Sequence, residues 1–391
     1  MATICYILWQ FKSPKNFKDM GGAERQLLHI IDVLGEENRF RVNIVSRRSK
    51  DDLPFEKYHE KIQIHRIFTT DLPIVATMLF IIFLPLFIIR CHMKERISVI
   101  HVQLPDFFLV SLYFVRQVIK VPIIVRIASN ELDLRFFHGF WLAARRIVLY
   151  FILKMDAIQT LTPTAYKKAS KLNFPLDRLY LIPNGVKLST KSRNYEFLKK
   201  RILYVGAMRF YPRRLKLEQK NLEHLIRSFS VISKKIPDLK LSMVGSGNFC
   251  SYLMNFVKNN ERIIDKVDFY GYKTEVSAYY ENSDIFINPS HFEGLPNTVL
   301  EAMAKGIYVL CSSIPPHRFL IGDNNQYGDL FNHMSKIDLV QKVLAFYGNP
   351  TPYIRKASEA QKLIRRKFAI SKIVKEIVEM YRDVFNTTHH N

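Results

Sequence analysis

Two glutamates, Glu293 and Glu301, flank the loop in "HFEGLPNTVLEAMAKG". The preceding "DIFINPS" reads as a strand, "HFEGLPN" as the loop at its carboxyl end and "TVLEAMAK" as a helix that Gly306 ends. Asn297 is a favoured N-cap residue, so Glu301 falls about one turn into the helix and projects back toward the loop. A helix N-terminus offers backbone N–H groups and the positive end of a dipole, which together seat phosphate. Carboxylates repel phosphate but accept hydrogen bonds from vicinal hydroxyls. An anion seat beside two hydroxyl acceptors fits a sugar nucleotide. Taken singly, each glutamate reads as well as an exposed loop carboxylate or a helix-surface residue.

The elements that must position these residues follow from patterning. A chain of 391 residues, 48% hydrophobic and 24% charged, exceeds one ordinary core and is expected to form two folded domains. Strand-like apolar runs alternate with helical patterns, which predicts an α/β fold of parallel units. The first half offers "TICYILW", "RVNIVS", "IQIHRIF", "SVIHVQ", "PIIVRIA" and "AIQTLT"; the second offers "RILYVGA", "KLSMVG", "VDFYGY", "DIFINPS" and "IYVLCS". Between them, residues 182–200 lack an apolar pattern, which places the domains at 1–185 and 186–370. Residues 371–391 follow as a terminal segment with an amphipathic helix. Each half is thus expected as a doubly wound sheet, with ligands at the carboxyl ends of strands and a cleft between facing domains.

The net charge of +23 is spread over both halves and favours anionic partners: nucleic acid, phosphorylated small molecules or an anionic membrane surface. Leu72–Ile89 carries no charge and would be about 27 Å long as a helix. A crossing there would split the first domain, which leaves a buried core helix or an in-plane helix dipping into one leaflet. Pro85 is expected to kink or interrupt it. Cys5, Cys91, Cys250 and Cys311 lie far apart without metal-ligand spacing and read as reduced core thiols of a cytosolic protein. The opening "ATICYIL" reads as a first strand and not as a signal peptide.

"EGLPNTVLEAMAKG" resembles the E-x7-E signature of the retaining glycosyltransferases of family 4, which have the GT-B fold of two Rossmann-like domains. The resemblance implies that Glu293 contacts the donor sugar and Glu301 the nucleotide ribose, with Gly294, Leu295, Pro296, Asn297 and Thr298 completing the donor loop. "LYVGAMRF" followed by "EQKNLEHLI" resembles the segment whose two cations bind the donor diphosphate. These are Arg209 and Lys220, with Arg213 or Arg214 able to stand in for Arg209. "LSMVGSGNF" supplies Gly245 and Gly247 near the nucleotide, and "VDFYGY" supplies Gly271 and Tyr272 near the base. "DMGGAERQLLHII" resembles the loop after the first strand, in which Gly21 and Gly22 admit the transferred group. Glu24 there reads as support for the helix start. Relatives usually carry Pro where this chain has Tyr308, a departure expected to affect only a turn.

Many relatives carry a His-Gly pair after the strand read here as "PIIVRIA"; this chain has "ASNELDL". Ser129, Asn130 and Glu131 take that place as acceptor-side candidates, and His101 at another strand end is a further one. Front-face attack, with the leaving phosphate accepting the acceptor's proton, requires no protein base. With no D-x-D in the chain, basic residues are expected to replace a metal, and no cofactor is implied beyond the nucleotide-sugar substrate. The resulting expectation is a UDP-sugar-dependent retaining transferase, with GDP-mannose as the other donor class. It would extend a lipid-pyrophosphate-linked or surface glycan from the cytoplasmic face of an anionic membrane, as a peripheral protein. A soluble glycoside synthase on the same fold is the alternative. A nucleic-acid binder is a weaker one, because no recognition motif supports nucleic acid as a partner.

Overall fold

The computed structural model describes all residues except 15–19, 38, 49–51, 71, 129–139, 190–194, 196, 211–217 and 390–391. The chain divides into two compact units, Met1–Gly185 with Ile370–Asn391, and Val186–Ala369.

In the first unit the strands are β1 (Ala2–Gln10), β2 (Phe40–Arg47), β3 (Phe55–His59), β4 (Ile62–Ile67), β5 (Ile97–Val102), β6 (Ile123–Ile127), β7 (Ala157–Thr160) and β8 (Leu179–Leu181). The helices are α1 (Gly22–Glu36), α2 (Pro73–Glu95), α3 (Leu109–Ile119), α4 (Phe140–Leu153) and α5 (Pro163–Lys171). The sheet order is β3-β4-β2-β1-β5-β6-β7-β8. All pairs are parallel except β3–β4. In β1 the run Ile4–Leu8 is buried throughout, as a strand covered on both faces requires.

The second unit holds β9 (Arg201–Val205), β10 (Lys240–Val244), β11 (Val267–Gly271), β12 (Ile285–Asn288), β13 (Tyr308–Ser312) and β14 (Asp329–Phe331). Its helices are α6 (Leu222–Lys235), α7 (Cys250–Lys258), α8 (Ser277–Glu281), α9 (Asn297–Ala304), α10 (Pro315–Ile321), α11 (Lys336–Gly348) and α12 (Thr351–Leu363). The order β11-β10-β9-β12-β13-β14 is parallel throughout. From β9 the chain runs outward to β10 and β11, then returns to place β12 on the other side. The strand order therefore reverses between β9 and β12, where such sheets bind ligands.

The last helix, α13 (Ile370–His389), belongs to the first unit. Side chains of β1 alternate between the two faces of that sheet. Ile4, Tyr6 and Leu8 pack in one core with α1 and α13, through Leu27, Ile31, Ile373 and Ile377. Cys5 and Ile7 pack in the other with α2, α3 and α4, through Phe80, Leu84, Leu112 and Val148.

Several expectations change. β3, β8 and β14 carry no strong sequence pattern; all three are short edge strands. α2 is not interrupted at Pro85. The proline removes one backbone hydrogen bond, and packing of Phe80, Leu84 and Ile88 on the sheet sustains the helix across it. All four cysteines are free thiols, but only Cys5 and Cys311 are buried; Cys91 and Cys250 are half-buried. Tyr308 does more than shape a turn. It is fully buried at the start of β13, and its hydroxyl donates to Asp329 Oδ2 at 2.8 Å, an oxygen that Lys356 Nζ also reaches at 2.8 Å.

Candidate active site

The loops leaving β9 and β12 flank the reversal point of the second sheet and are tied to each other. His291 N–H donates to the Gln219 carbonyl at 2.9 Å, and Gln219 Nε2 donates to the Phe292 carbonyl at 3.2 Å. This tie brings Lys220 to Glu293, with Nζ donating to Oε1 at 2.5 Å. Ser290 Oγ donates to the same oxygen at 2.7 Å. The Glu293 side chain is only 9% exposed. Burial alone would raise its pKa, but the Lys220 ammonium and the Ser290 hydroxyl outweigh it and hold the carboxyl below its ordinary range. Glu293 is therefore ionised at neutral pH.

One turn into α9, Glu301 Oε2 accepts a hydrogen bond from the buried Tyr280 hydroxyl at 3.1 Å. Asn297 is the first helical residue and not the cap; Pro296 takes the cap place. Its φ of −74° and ψ of 110° give the extended geometry of a cap, and proline has no N–H to leave unsatisfied. Leu295 and Pro296 are buried, whereas Gly294, Asn297 and Thr298 are half-buried.

The two helix starts nearest this loop pair differ in charge. At α6 the Glu218 carboxylate accepts from the Leu222 N–H at 2.9 Å and the Glu223 N–H at 3.3 Å. That end is closed by the protein itself, and burial pushes the Glu218 carboxyl up to about 7. The first turn of α9 holds no acidic residue. Its own first turn therefore supplies no carboxylate to offset the positive end of the dipole.

Arg209 is exposed just beyond β9, with its Cγ beside Gly247. The Gly-x-Gly loop has a packing reason of its own. A Cβ on Gly245 would collide with the Gly206 carbonyl, and one on Gly247 with the Met208 carbonyl. Gly245 N–H donates to the Gly271 carbonyl at 2.8 Å, which joins the ends of β10 and β11. Gly271 is left-handed, with φ +65°, and is followed by the half-buried Tyr272. Lys220, Glu293, Arg209 and these glycines thus share the carboxyl-end loops of one sheet.

In the first unit, Gly21 caps α1 and Gly22 begins it. Glu24 reaches back to the Gly21 N–H at 2.5 Å and the Lys12 N–H at 3.0 Å, the helix-start role its position suggests. His101 is not an acceptor-facing residue. It is 1% exposed, with Nδ1 2.8 Å from the Tyr381 hydroxyl on α13 and its ring packed on Tyr6. Burial in that core lowers its pKa to about 3, which keeps it neutral. Ser129, Asn130, Glu131, Arg213 and Arg214 lie outside the described residues.

Sequence reasoning missed Ser290, Tyr280, Glu218 and His317. His317 is fully buried, with Nδ1 2.8 Å from the Ser312 carbonyl. Burial lowers its pKa to about 4, although the Glu293 charge pulls the other way. Only Ser290 left a trace, as the polar end of the run "DIFINPS". The others act through partners that the fold supplies. Among the described residues, no three His, Cys, Asp or Glu side chains gather to hold a metal ion.

Residues 199–364 match the family model for glycosyl transferases group 1, and residues 20–190 match that for glycosyltransferase family 4. An uncharacterized glycosyltransferase of Haemophilus influenzae is 31% identical over 56% of this chain and 60% of its own length. The chain spans 60% or less of each of the first three curated relatives it matches. The GalNAc-alpha-(1->4)-GalNAc-alpha-(1->3)-diNAcBac-PP-undecaprenol alpha-1,4-N-acetyl-D-galactosaminyltransferase of Campylobacter jejuni is 24% identical over 94% of this chain and 96% of its own. Among solved structures, sucrose-phosphate synthase from Thermosynechococcus elongatus superposes with a TM-score of 0.79 at 17% identity, covering 99% of this chain and 100% of that one. Anabaena HepE in complex with UDP-glucose superposes with a TM-score of 0.72 at 13% identity, covering 97% and 99%. These likenesses carry the GT-B architecture, and with the two family models they make the chain a member of the group 1 and family 4 glycosyltransferases.

Proposed function

We propose that the protein is a retaining glycosyltransferase that moves a sugar from a UDP-sugar to a lipid-pyrophosphate-linked or surface glycan precursor. The observation that carries this reading is the Lys220–Glu293 pair at the reversal point between β9 and β12, beside the start of α9. The donor diphosphate sits against Lys220, Arg209 and the α9 N-terminus, which stabilise the charge that develops on the leaving nucleotide. Glu293 accepts from sugar hydroxyls, and Glu301, aimed by Tyr280, accepts from the ribose. The acceptor oxygen attacks from the face that the nucleotide leaves. Its proton passes to the departing phosphate, so the reaction calls on neither a protein base nor a metal. A UDP donor is favoured because HepE was solved with UDP-glucose. A lipid-linked acceptor is favoured because the Campylobacter relative is named for a PP-undecaprenol substrate.

The test is transfer from a panel of UDP- and GDP-sugars to lipid-pyrophosphate acceptors, with the new linkage read by NMR. An α-linked product from an α-configured donor supports the reading. A β-linked product contradicts retention, and transfer only to water-soluble acceptors contradicts the lipid assignment.

A further inference from the structure

The first sheet is covered by two helical layers that treat solvent in opposite ways. In α13 the buried stripe faces the sheet while Lys372, Lys375, Glu379, Arg382 and Asp383 face water. In α2 both faces are apolar. Ala76, Phe80, Leu84 and Ile88 recur every four residues and are fully buried. Ile74, Met78, Ile82 and Leu86 recur at the same spacing on the opposite face and are 58% to 77% exposed. The helix is long and apolar enough to cross a bilayer by length and composition, with a mean hydropathy of 2.5 over an 18-residue window. It does not cross one, because β4 before it and β5 after it lie in the same sheet.

The apolar outer surface continues onto neighbouring helices. α2, α3 and α4 bury their inner faces in one core, so their outer faces look the same way. α3 exposes Phe114 and Val118, and α4 exposes Ile147 and Tyr150. A soluble face rarely gathers so many large apolar side chains without a partner.

The charges beside this surface select the partner. Each of the three helices leads into a parallel strand, so their C-terminal ends lie along one edge of the sheet. At that edge stand Arg90 and Lys94 of α2, Arg96 just after it, Lys120 after α3 and Lys154 after α4, all exposed. Of the acidic groups at this edge, Asp156 is engaged with Arg116 at 2.5 Å and Glu95 with Arg41 at 3.8 Å, which leaves the exposed Asp177 against five cations. An apolar plane bordered by a row of largely uncompensated cations matches a leaflet that offers acyl chains beside anionic headgroups.

We propose that the outer face of α2 and α3 is a docking surface for an anionic lipid leaflet, with the α2 helix lying in the plane of the interface. This does not depend on the donor assignment, so either can fail without the other. The test is flotation of the full-length protein with vesicles of phosphatidylcholine mixed with phosphatidylglycerol, and with vesicles of phosphatidylcholine alone. The wild type is expected to float with the mixed vesicles and to bind the neutral ones at least tenfold more weakly. The double variant Ile82→Glu with Leu86→Glu is expected to lose at least tenfold in partitioning. Arg90→Ala with Lys94→Ala is expected to lose about tenfold at low salt, a difference that high salt erases. Should the glutamate variant fail to fold by circular dichroism, Met78→Ser with Ile82→Ser provides the same comparison with a smaller change. A wild type that stays unbound, or variants that float as well as it does, overturn the proposal. So does a dimer in light scattering that the same variants dissociate without any vesicle binding, which would make this face an interface between copies.

Discussion

Lys220 Nζ and Glu293 Oε1 lie 2.5 Å apart, with the two side chains 19% and 9% exposed. The pair is unequal, because the carboxylate is the more buried of the two. Lys220→Met should therefore cost about 3 kcal/mol by leaving a buried charge unpaired, whereas Glu293→Gln should cost less. Denaturant unfolding of the two variants checks the order. A Lys220→Met protein as stable as Glu293→Gln would contradict it. Transfer rate should fall about a hundredfold or more in Lys220→Met, because the departing diphosphate loses a cation.

The Tyr280 hydroxyl aims Glu301 from 3.1 Å and also reaches the Thr298 carbonyl at 3.2 Å. Tyr280→Phe keeps the ring and removes only the donor. Nucleotide affinity should drop about fivefold, corresponding to roughly 1 kcal/mol for one aimed hydrogen bond. Titration calorimetry measures this, and an unchanged affinity would remove Tyr280 from the site.

Two glycines should respond differently to the same added methyl group. At Gly245 a Cβ meets the Gly206 carbonyl, and backbone must move; at Gly271 the space is open and only the left-handed φ of +65° is strained. Gly245→Ala should cost about 3 kcal/mol or more, and Gly271→Ala about 1 kcal/mol. Thermal unfolding of both variants decides between them. Equal losses would mean that the loop ends relax freely.

Acid titration separates the buried His317 and the half-buried Glu218 with opposite signs. His317, lowered to about 4, stays neutral when folded and charges when unfolded, so its contribution is present above about 6.5 and lost as pH falls toward 4. Glu218, raised to about 7, keeps its proton when folded between about 4.5 and 7, so its contribution grows as pH falls through that window. Relative to wild type, His317→Asn should gain stability between pH 6.5 and 4. Glu218→Gln should lose it between pH 7 and 4.5. Melting temperatures across this range report both slopes, and parallel curves for all three proteins would contradict the assignment.

Much of the architecture was legible in the chain because central parallel strands are buried on both faces and so read as unbroken apolar runs. Ile4–Leu8 and Ile285–Ile287 are examples. β3, β8 and β14 were not legible, since short edge strands gain their pairing from neighbours and not from their own pattern. The loop-and-helix grammar around Glu293 and Glu301 was visible within a few residues, as was the candidate cation at Lys220. Their partners were not. Tyr280 is a core aromatic by sequence and a hydrogen-bond donor only through the fold, and His101 shows the converse error. At a strand end it looked available for chemistry, yet the late-arriving Tyr381 encloses it. For α2 an apolar run fixed burial no better than membrane contact, because both of its faces are apolar and only the sheet decides which is inward.

The central claim is that the Glu293–Glu301 loop binds the nucleotide of the donor. Calorimetric titration of UDP and GDP into the wild type and Glu301→Ala tests it most directly. UDP is expected to bind, GDP to bind more weakly, and Glu301→Ala to lose most of the UDP affinity while remaining folded. If folded wild-type protein binds neither nucleotide, or if Glu301→Ala binds UDP as tightly as the wild type, the loop is not the donor site.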